Sequence, residues 1–345
     1  MFLIRITMQK ALFYKILEGR KVQCQTCHHQ CTIAPNGFGI CGVRQNIDGD
    51  LFLLVYGKAA ATDICPIEKK GLTHFLPGTK TFSFGTFGCN FKCQHCSNWD
   101  LSQEFIVDDV NDLCQDMPPK KIADYCKQKK IPSITYNFNE PTVYVEYAAD
   151  VMKEARKAGI KNVLVTNGYM TRNAMSAMTP FLDAISFEFK SMSDEFYQKT
   201  FGARLKPVLD NIDNFDRTQI WMEITTSIMP GKNDDVEQLG EMARFIRGFS
   251  ANIPWHLSLA QPNYKVKKFK KLDVEVFKKA YHIAKEVGLN YAYIENIPQG
   301  GMEDTHCPRC NFLIASRNRS FVVKRFDKSG KCPECEFKMP GVWTQ

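Results

Sequence analysis

Seven short stretches between about residues 79 and 295 are rich in β-branched and aromatic residues, which is typical of β-strands. They are KTFSFGTF, IPSITYNF, NVLVTN, DAISFEFK, QIWMEITTSI, WHLSLA and NYAYIEN. Helical patterns lie between them. One begins after Pro141 and stops at Gly159, and another begins after Asn233 with acidic residues in its first turn. This alternation predicts βα units whose strands are parallel.

Four of these strands carry polar side chains at every second position. The polar positions are Ser133, Thr135, Asn137 and Asn139, then Ser186, Glu188 and Lys190, then Glu223, Thr225 and Ser227, and finally His256 and Ser258. A closed eight-stranded barrel fills its interior with branched apolar side chains, so a polar lining predicts a partly open barrel around a charged ligand. The alternative is an open sheet with one wetted face. For His256 and Glu223 we favour a hydrogen-bonded interior pair over substrate contact.

Composition and charge indicate an ordinary globular chain of about two domains, with 345 residues, 44% hydrophobic and 24% charged. No apolar run reaches the roughly 18 residues of a membrane span, and Arg5 and Lys10 interrupt the first segment before a signal peptide can form. We therefore expect a cytoplasmic protein. The net charge is +8, but the densest basic run, YKVKKFKK at 264–271, lacks a nucleic-acid reading motif and predicts a solvated loop.

Fourteen cysteines fall mainly into three groups, and a reducing cytoplasm favours metal binding over disulfides. The last group consists of CPRC and CPEC, separated by 21 residues. Its thiols belong to Cys307, Cys310, Cys332 and Cys335. Four thiolates at this spacing predict a zinc ribbon, and the site is structural because sulfur fills all four positions.

The first cysteine group comprises Cys24, Cys27, Cys31 and Cys41. Its uneven gaps of two, three and nine residues suit zinc or an iron–sulfur cluster, and we favour zinc. The adjacent His28 and His29 are interpreted as solvated rather than ligating.

The middle group places Cys89, Cys93 and Cys96 directly after the first predicted strand, in GCNFKCQHC. Catalytic residues of βα barrels lie at this carboxyl end of the strands. A four-iron cluster normally takes four cysteines, so a site with three keeps one iron position for a substrate or cofactor.

The C-x3-C-x2-C spacing in TFGCNFKCQHCSNWD resembles the loop of radical S-adenosylmethionine (SAM) enzymes, with His95 at a position that is often aromatic. The chain as a whole is similar to the AmmeMemoRadiSam system radical SAM family. The likeness rests on LFYKILEGRKVQCQTCHHQC, GICGVRQN, YGKAAATDICPIEKKGLTHFLPGT, GTFGCNFKCQHCSNWDLSQ, NEPTVYVEYA, VTNGYMT, SDEFYQKTFGARL, WHLSLAQPNY and GVW. That family is similar in turn to activating enzymes of glycyl-radical enzymes such as pyruvate formate-lyase.

This resemblance implies that Cys89, Cys93 and Cys96 hold a [4Fe–4S] cluster whose free iron chelates SAM. One electron then cleaves SAM to a 5′-deoxyadenosyl radical, which abstracts hydrogen from an unidentified substrate. The implied partners are a one-electron donor of the flavodoxin or ferredoxin type and Memo-like and AMMECR-like proteins. Neither nucleic acid nor a membrane is expected.

The resemblance also implies which residues contact SAM. FNEP at 138–141 stands where the superfamily has GGEP, which assigns Asn139 and Glu140 to the amino group of SAM. Asn167 is assigned to the ribose. In FEFK, Glu188 and Lys190 stand where the activating enzymes have Asp-x-Lys, and a salt bridge inside the barrel is the alternative for this pair.

The predicted fold class is α/β, a partial (β/α)6-type radical SAM barrel flanked by two small cysteine-rich metal modules. The predicted domains are an amino-terminal cysteine-rich module at 1–74, the core barrel at 75–296 and the zinc ribbon at 297–345. Two alternative functions stay open at this point. One is a glycyl-radical enzyme activase, and the other is a non-catalytic, metal-rich binding module.

Overall fold

The computed structural model describes residues 8–271, 273–297, 300–318, 321–326 and 329–343. Residues 1–7 lie outside the described residues, and they include Arg5, on which the cytoplasmic prediction partly rested. Parts of the predicted ribbon module, at 298–299, 319–320, 327–328 and 344–345, also lie outside them. Within the described ranges, no helix has the length and apolar character needed to cross a bilayer.

Short strands occupy both ends of the chain, and longer ones occupy the middle. The strands are β1 (Gln9–Lys10), β2 (Tyr14–Ile16), β3 (Val22–Cys24), β4 (Thr32–Ile33), β5 (Arg44–Ile47), β6 (Asp50–Leu53), β7 (Lys58–Ala59), β8 (Ala61–Pro66), β9 (Lys80–Gly85), β10 (Gln115–Asp116), β11 (Ser133–Tyr136), β12 (Lys161–Thr166), β13 (Ala184–Glu188), β14 (Trp221–Ile228), β15 (Trp255–Leu259), β16 (Ala292–Glu295), β17 (Thr305–His306), β18 (Leu313–Asn318) and β19 (Phe321–Lys324).

Helices occupy the connections between the longer strands. The α-helices are α1 (Trp99–Ser102), α2 (Val110–Leu113), α3 (Pro119–Gln128), α4 (Val145–Lys157), α5 (Arg172–Met178), α6 (Asp194–Phe201), α7 (Leu205–Asp216), α8 (Val236–Phe249) and α9 (Val274–Glu286). Short 3₁₀ helices span Glu18–Arg20, Ile67–Lys70, Val107–Asp109, Pro141–Tyr144 and Thr179–Phe181.

The chain forms two compact units. The first takes in the described residues of Met1–Ile64 together with Thr81–Asp183 and Thr200–Ala203. In it, β9, β11 and β12 are parallel, with β11 between the other two. Two small antiparallel sheets, β1-β6-β5 and β2-β3-β4, contain the amino-terminal cysteine segment.

The second unit takes in Cys65–Lys80, Ala184–Lys199 and the described residues of Arg204–Gln345. Its parallel strands lie in the order β16-β15-β14-β13, and an antiparallel sheet, β17-β18-β19, belongs to the carboxyl-terminal cysteine segment. One apolar cluster joins that segment to the region of β16. It comprises Tyr291, Tyr293, Cys307, Ile314, Cys332, Met339 and Trp343.

All seven predicted strands are present, and their parallel pairing confirms the α/β prediction. The helix predicted after Pro141 opens with a 3₁₀ turn before α4 begins. The helix predicted after Asn233 begins at Val236, because the Asp235 side chain accepts a hydrogen bond from the Gln238 N–H and caps it. The three predicted domain boundaries stay a prediction.

The polar strand faces are buried at most positions and half-buried at Asn137, Glu188, Ser227 and Ser258, so the alternative of an open sheet with one wetted face is wrong. Ser133 and Thr135 in the first unit, and Ser186 and Glu223 in the second, are each at most 1% exposed. In the second unit, the segment 71–74 covers the polar face. A Cβ added at Gly71 would lie 2.8 Å from the Ser186 hydroxyl, a distance that only a glycine permits.

Candidate active site

The three-cysteine loop follows β9 and folds back onto α1. Gly88 turns the chain at φ +87°, and its N–H donates to the Leu101 carbonyl at 2.9 Å. Further along, the Gln103 side chain donates to the Cys93 carbonyl at 2.9 Å, and the Cys96 Sγ lies 3.2 Å from the Ser102 hydroxyl. The loop is therefore held by hydrogen bonds to residues 101–103, which follow it directly in the sequence.

The Asn139 side chain clamps the start of this loop. Its Oδ1 accepts the Thr86 N–H at 3.1 Å, and its Nδ2 donates to the Phe87 carbonyl at 3.2 Å and to the Gly88 carbonyl at 2.5 Å. This buried amide thus satisfies the backbone immediately before Cys89. The side chain that the sequence assigned to SAM is engaged with the loop in the structure.

Phe138 supports the loop from the same turn with its backbone. It adopts φ +69°, which is rare for a bulky residue, and its carbonyl accepts a hydrogen bond from the Asn98 side chain at 2.7 Å. Strained backbone of this kind persists where the surrounding structure enforces it, typically at functional sites. Asn98 follows Cys96 by two residues, so the turn holds both ends of the cysteine loop.

Glu140 is a buried carboxylate with four hydrogen bonds. Its Oε1 accepts from the Thr142 N–H, the Thr142 hydroxyl and the Thr166 hydroxyl, and its Oε2 accepts from the Asn167 N–H at 2.8 Å. Burial raises the pKa of Glu140, while the hydrogen bonds from Thr142, Asn167 and Thr166 act in the opposite direction. A carboxylate has about four acceptor positions, so Oε2 is the atom with capacity for another donor.

Asn167 and Asn90 connect β12 to the cysteine loop and onward to the amino-terminal segment. The Asn167 Nδ2 donates to the Asn90 Oδ1 at 2.8 Å, and the Asn90 carbonyl lies 2.8 Å from the His29 Nε2. The interpretation of His29 as a solvated residue is therefore wrong. Asn90 is fully buried, and its Nδ2 has no hydrogen-bond partner among the described residues.

Aromatic side chains enclose the loop on one side. The Phe91 ring lies 5.4 Å from that of Tyr169 and 5.9 Å from that of Phe201, and the His95 ring lies 6.0 Å from Phe201. Phe91 is 1% exposed, so these rings cover one side of the loop, while the three cysteine side chains stay half-buried.

In the second unit, Glu188 and Lys190 form an ion pair. The Lys190 Nζ lies 3.1 Å from the Glu188 Oε2, and neither side chain is fully buried. The Lys190 N–H donates to the Tyr197 hydroxyl, and the Lys190 carbonyl accepts from the Asn233 side chain. The salt-bridge alternative for this pair is thus present in the structure.

Glu223 and His256 form the buried pair that the strand pattern indicated. The His256 Nε2 lies 2.8 Å from the Glu223 Oε2, and its Nδ1 lies 2.6 Å from the Glu295 Oε1. The Glu223 carboxylate also accepts the N–H groups of Thr73 and His74. Burial opposes the charge on Glu223, but the hydrogen bond and charge of His256, together with His74 and the Thr73 N–H, outweigh it and lower the pKa of Glu223 to about 2.

Comparison with known proteins identifies the family. A model described as the radical SAM superfamily matches residues 84–246, which contain all three loop cysteines. An uncharacterized protein of Methanocaldococcus jannaschii is 37% identical over 311 residues, covering 90% of this chain and 92% of that protein. The chain belongs to the radical SAM superfamily.

Two further similarities refine this radical SAM assignment. The pyruvate formate-lyase 1-activating enzyme of Escherichia coli K12 is 23% identical over 180 residues, covering 50% of this chain and 70% of that enzyme. The crystal structure of Streptococcus suis SuiB bound to S-adenosylmethionine matches with a TM-score of 0.50 and 14% identity, over 67% of this chain and 53% of SuiB. The structural match concerns the fold alone.

Membership of the radical SAM superfamily establishes that the protein is an enzyme that uses a [4Fe–4S] cluster, SAM and a one-electron donor. The alternative of a non-catalytic binding module is therefore wrong. Among the described residues, which include all fourteen cysteines, none forms a disulfide, so the loop offers three thiols to a cluster. Burial, followed by the neighbouring Cys93, raises the pKa of the Cys89 thiol, so cluster binding must displace its proton.

When bound, the cluster and SAM supply a one-electron cleavage that yields a 5′-deoxyadenosyl radical for hydrogen abstraction. The chain contributes position. Asn139 and Asn98 hold the loop backbone, so the three thiols would meet a cluster from a preformed conformation. The buried Phe91 ring would cover one side of that cluster.

The amino-terminal cysteines gather around β3 and β4. The Cys24 N–H donates to the Cys31 carbonyl at 2.9 Å, and both side chains belong to one small apolar cluster. Burial raises the pKa of Cys27, with the Cys24, Cys41 and Cys31 thiols adding to the effect, and burial raises that of Cys41 to about 11. The four thiols are therefore near neighbours.

The carboxyl-terminal cysteines form a compact four-sulfur site. The Sγ atoms of Cys307 and Cys335 are 3.6 Å apart, as are those of Cys310 and Cys332, and all four lie within 4.8 Å of one another. Zinc bonds of about 2.3 Å in a tetrahedron place the sulfurs roughly 3.8 Å apart. The site can therefore take zinc or iron, and its metal stays a prediction.

Sequence reasoning missed Asn90, Asn98 and His29 as parts of this site. Asn90 directly follows Cys89, and a polar residue inside an otherwise enclosed loop was the available signal. The other two depend on contacts with distant residues, and the local pattern of the chain gives no sign of them.

Proposed function

We propose that Cys89, Cys93 and Cys96 ligate the catalytic [4Fe–4S] cluster of this radical SAM enzyme. The observation that supports it is the bracing of a single loop from both ends. Asn139 binds the backbone at Thr86 and Gly88 before the first cysteine, and Asn98 binds Phe138 after the last. Three thiols in a braced loop leave one iron position for SAM.

The residues assigned to SAM take two different roles in this proposal. Asn139 positions the loop through its side chain, and its backbone lies beside the bound SAM. Glu140 offers its Oε2 to the SAM amino group while its other hydrogen bonds hold β12 in place. Asn167 is oriented toward the ribose by the bonds to Asn90 and Glu140.

Glu188 and Lys190 are the remaining proposed SAM contacts. Both side chains are partly exposed, at 28% and 11%, so their ion pair can open at modest cost. The ammonium group then pairs with the SAM carboxylate, and Glu188 accepts from a ribose hydroxyl or the amino group. Lys190 thus exchanges one carboxylate partner for another, and Glu188 keeps a hydrogen-bond donor.

The proposed subfamily is the AmmeMemoRadiSam system family, acting in the cytoplasm with a flavodoxin- or ferredoxin-type donor and with Memo-like and AMMECR-like proteins. The motif resemblance extends from Leu12 to Trp343 and includes both flanking cysteine groups. The substrate is a small molecule or a protein partner. Zinc is the proposed metal of the carboxyl-terminal ribbon, because its sulfur spacing matches a tetrahedral ion.

A glycyl-radical enzyme activase is the second candidate. Its support is the 23% identity to the pyruvate formate-lyase 1-activating enzyme and 24% to a putative glycyl-radical enzyme activating enzyme of M. jannaschii. This function requires a partner protein whose glycine loses a hydrogen atom. An EPR signal of a glycyl radical with a supplied partner would establish it, and its absence with every such partner of the source cell would remove it.

The deciding experiment compares the wild type with a Cys89→Ala/Cys93→Ala/Cys96→Ala variant after anaerobic reconstitution with iron and sulfide. Dithionite and SAM are added, and 5′-deoxyadenosine is measured by chromatography. We expect product from the wild type and none from the triple variant. Cys114→Ala is the matched control, since this thiol is half-buried and outside the three groups. Product from the triple variant would refute the ligand assignment.

A further inference from the structure

We propose that Cys24, Cys27, Cys31 and Cys41 bind a second iron–sulfur cluster of the four-iron class, seated directly against the Cys89–Cys96 loop. The proposed function supplies the neighbouring cluster, but the ligand assignment at the amino-terminal site stands on its own geometry. It reverses the preference for zinc that the cysteine spacing alone suggested.

The spacing of the sulfur atoms distinguishes the two flanking cysteine groups. Within the described residues, the ribbon thiols are a group whose sulfur atoms all lie within 4.8 Å of one another, and the amino-terminal thiols, which are also described, are not. One zinc ion needs sulfurs roughly 3.8 Å apart. A cubane binds each thiolate to a different iron, so its four sulfurs stand farther apart. The wider arrangement favours the cluster.

The surroundings of the amino-terminal group fit such a cluster. Cys24, Cys27 and Cys41 are buried, and Cys31 is half-buried, so the thiols face a largely dry interior. Cys24 and Cys31 flank the turn that carries Cys27, and the Gly39–Cys41 segment packs over Ile33 of β4. The β3–β4 hairpin and the 39–41 segment thus bring the four cysteines into one largely buried region, which suits a cluster with four protein ligands.

Each of these segments also contacts the catalytic part of the first unit. A Cβ placed at Gly88 would lie 2.6 Å from the Cys41 carbonyl oxygen, so the two backbones are in direct contact one residue before Cys89. His29, two residues after Cys27, bonds the Asn90 carbonyl at 2.8 Å. Cys27 itself pairs with Met170 in an isolated β-bridge, next to the Tyr169 ring that packs on Phe91.

The position defines the chemical role. A cluster with four thiolate ligands has no open iron and does not bind SAM, so it serves as a one-electron carrier. It accepts one electron from the low-potential donor and is reduced. It is oxidised again when the electron passes to the cluster of the Cys89–Cys96 loop, with no proton or bond change at the amino-terminal site. The hydrogen bond from His29 to Asn90 and the Cys41–Gly88 contact connect the two ligand sets.

The test counts metals and does not depend on SAM cleavage. Iron, acid-labile sulfide and zinc are measured in anaerobically reconstituted wild type, in the Cys89→Ala/Cys93→Ala/Cys96→Ala variant and in a Cys24→Ala/Cys27→Ala variant. We expect about eight irons in the wild type and about four in each variant, with zinc at about one equivalent throughout. A second zinc equivalent that is lost with Cys24 and Cys27, or no iron left in the loop variant, would overturn the proposal.

EPR spectroscopy tests whether the amino-terminal cluster lies next to the loop cluster, and it shows whether each variant still folds around its remaining cluster. Reduced wild type should show EPR broadening from two interacting spins, and each variant should show a single unbroadened signal. His29→Ala, which changes no ligand, should keep about eight irons while narrowing the broadened signal. Two full clusters without any magnetic interaction would refute the adjacency. If the wild type held only four irons and these were lost with Cys24 and Cys27, the loop assignment would be refuted instead. Failure of the proposed function and failure of this inference are therefore distinguishable.

Discussion

The Asn139 amide lies against the Gly88 backbone, donating from Nδ2 to the Gly88 carbonyl at 2.5 Å although the two residues are 51 positions apart. The same side chain accepts a hydrogen bond from the Thr86 N–H, so one buried amide binds both an N–H group and a carbonyl group of the turn. The residue after Gly88 is the first cysteine of the radical SAM loop. The FNEP motif therefore acts on the proposed cluster site through the loop backbone.

Replacing Asn139 with alanine should loosen the cysteine loop. The change leaves the Thr86 N–H and the Gly88 carbonyl buried without this partner, at a cost of about 1–3 kcal/mol per buried group. We expect a lower iron content after reconstitution and a lower rate of 5′-deoxyadenosine formation. Asn173→Ala, an exposed asparagine on α5, is the control. Full iron loading in Asn139→Ala would show that the clamp is dispensable.

Gly88→Ala should disrupt the contact between the loop and the amino-terminal segment. Both the φ of +87° and the Cys41 carbonyl at 2.6 Å from the new Cβ oppose the substitution. Gly159→Ala is a matched control, because Gly159 has φ +74° and no atom within 4 Å of its Cβ position. The control isolates the conformational cost of about 1–2 kcal/mol. Denaturant midpoints should fall clearly further for Gly88→Ala, and equal shifts would contradict the close contact.

The sequence predicted the strands well, because alternation is a local property of the chain. All seven strands appear within a few residues of their predicted bounds. The clamp by Asn139 was not predictable, since it depends on which backbone atoms come within hydrogen-bonding distance of an amide far along the chain. The same holds for segment 71–74, whose Thr73 and His74 N–H groups bond Glu223 and thereby fill part of the polar face. Both sets of contacts join residues that are far apart in the sequence, so no local pattern indicates them.

The buried ion pair between Arg44 and Glu146 should contribute strongly to the stability of the amino-terminal segment. The Arg44 Nη1 donates to the Glu146 Oε1 at 3.0 Å, its Nε donates to the Val143 carbonyl, and both charged side chains are at most 4% exposed. Glu146→Ala leaves the guanidinium buried and unpaired, so we expect a loss of about 3–5 kcal/mol. Urea unfolding measures it. Asp124→Ala, which breaks the exposed pair with Lys120, should cost about 0–1 kcal/mol. A small effect at Glu146 would mean that water reaches Arg44.

The Glu223–His256–Glu295 network should make stability depend on pH above neutrality. Burial disfavours the charged imidazole, but Glu295 and Glu223 outweigh it and raise the pKa of His256 from 6.5 to about 9. A raised folded-state pKa stabilises the fold wherever the group is protonated. The contribution is therefore complete below pH 6.5 and is lost as the pH rises through about 9. Its size is on the order of 3 kcal/mol.

Glu295→Gln tests whether His256 is the origin of this pH dependence. The change removes the charge that raises the pKa of His256 most strongly while it keeps the shape of the side chain. Thermal midpoints measured from pH 6 to pH 10 should begin to fall at lower pH in the variant than in the wild type. Glu286→Gln, an exposed change on α9, should leave the profile unchanged. The stacked Tyr293 ring and the neighbouring His74 remain in both proteins, so superimposable profiles for Glu295→Gln and the wild type would exclude His256 as the titrating group.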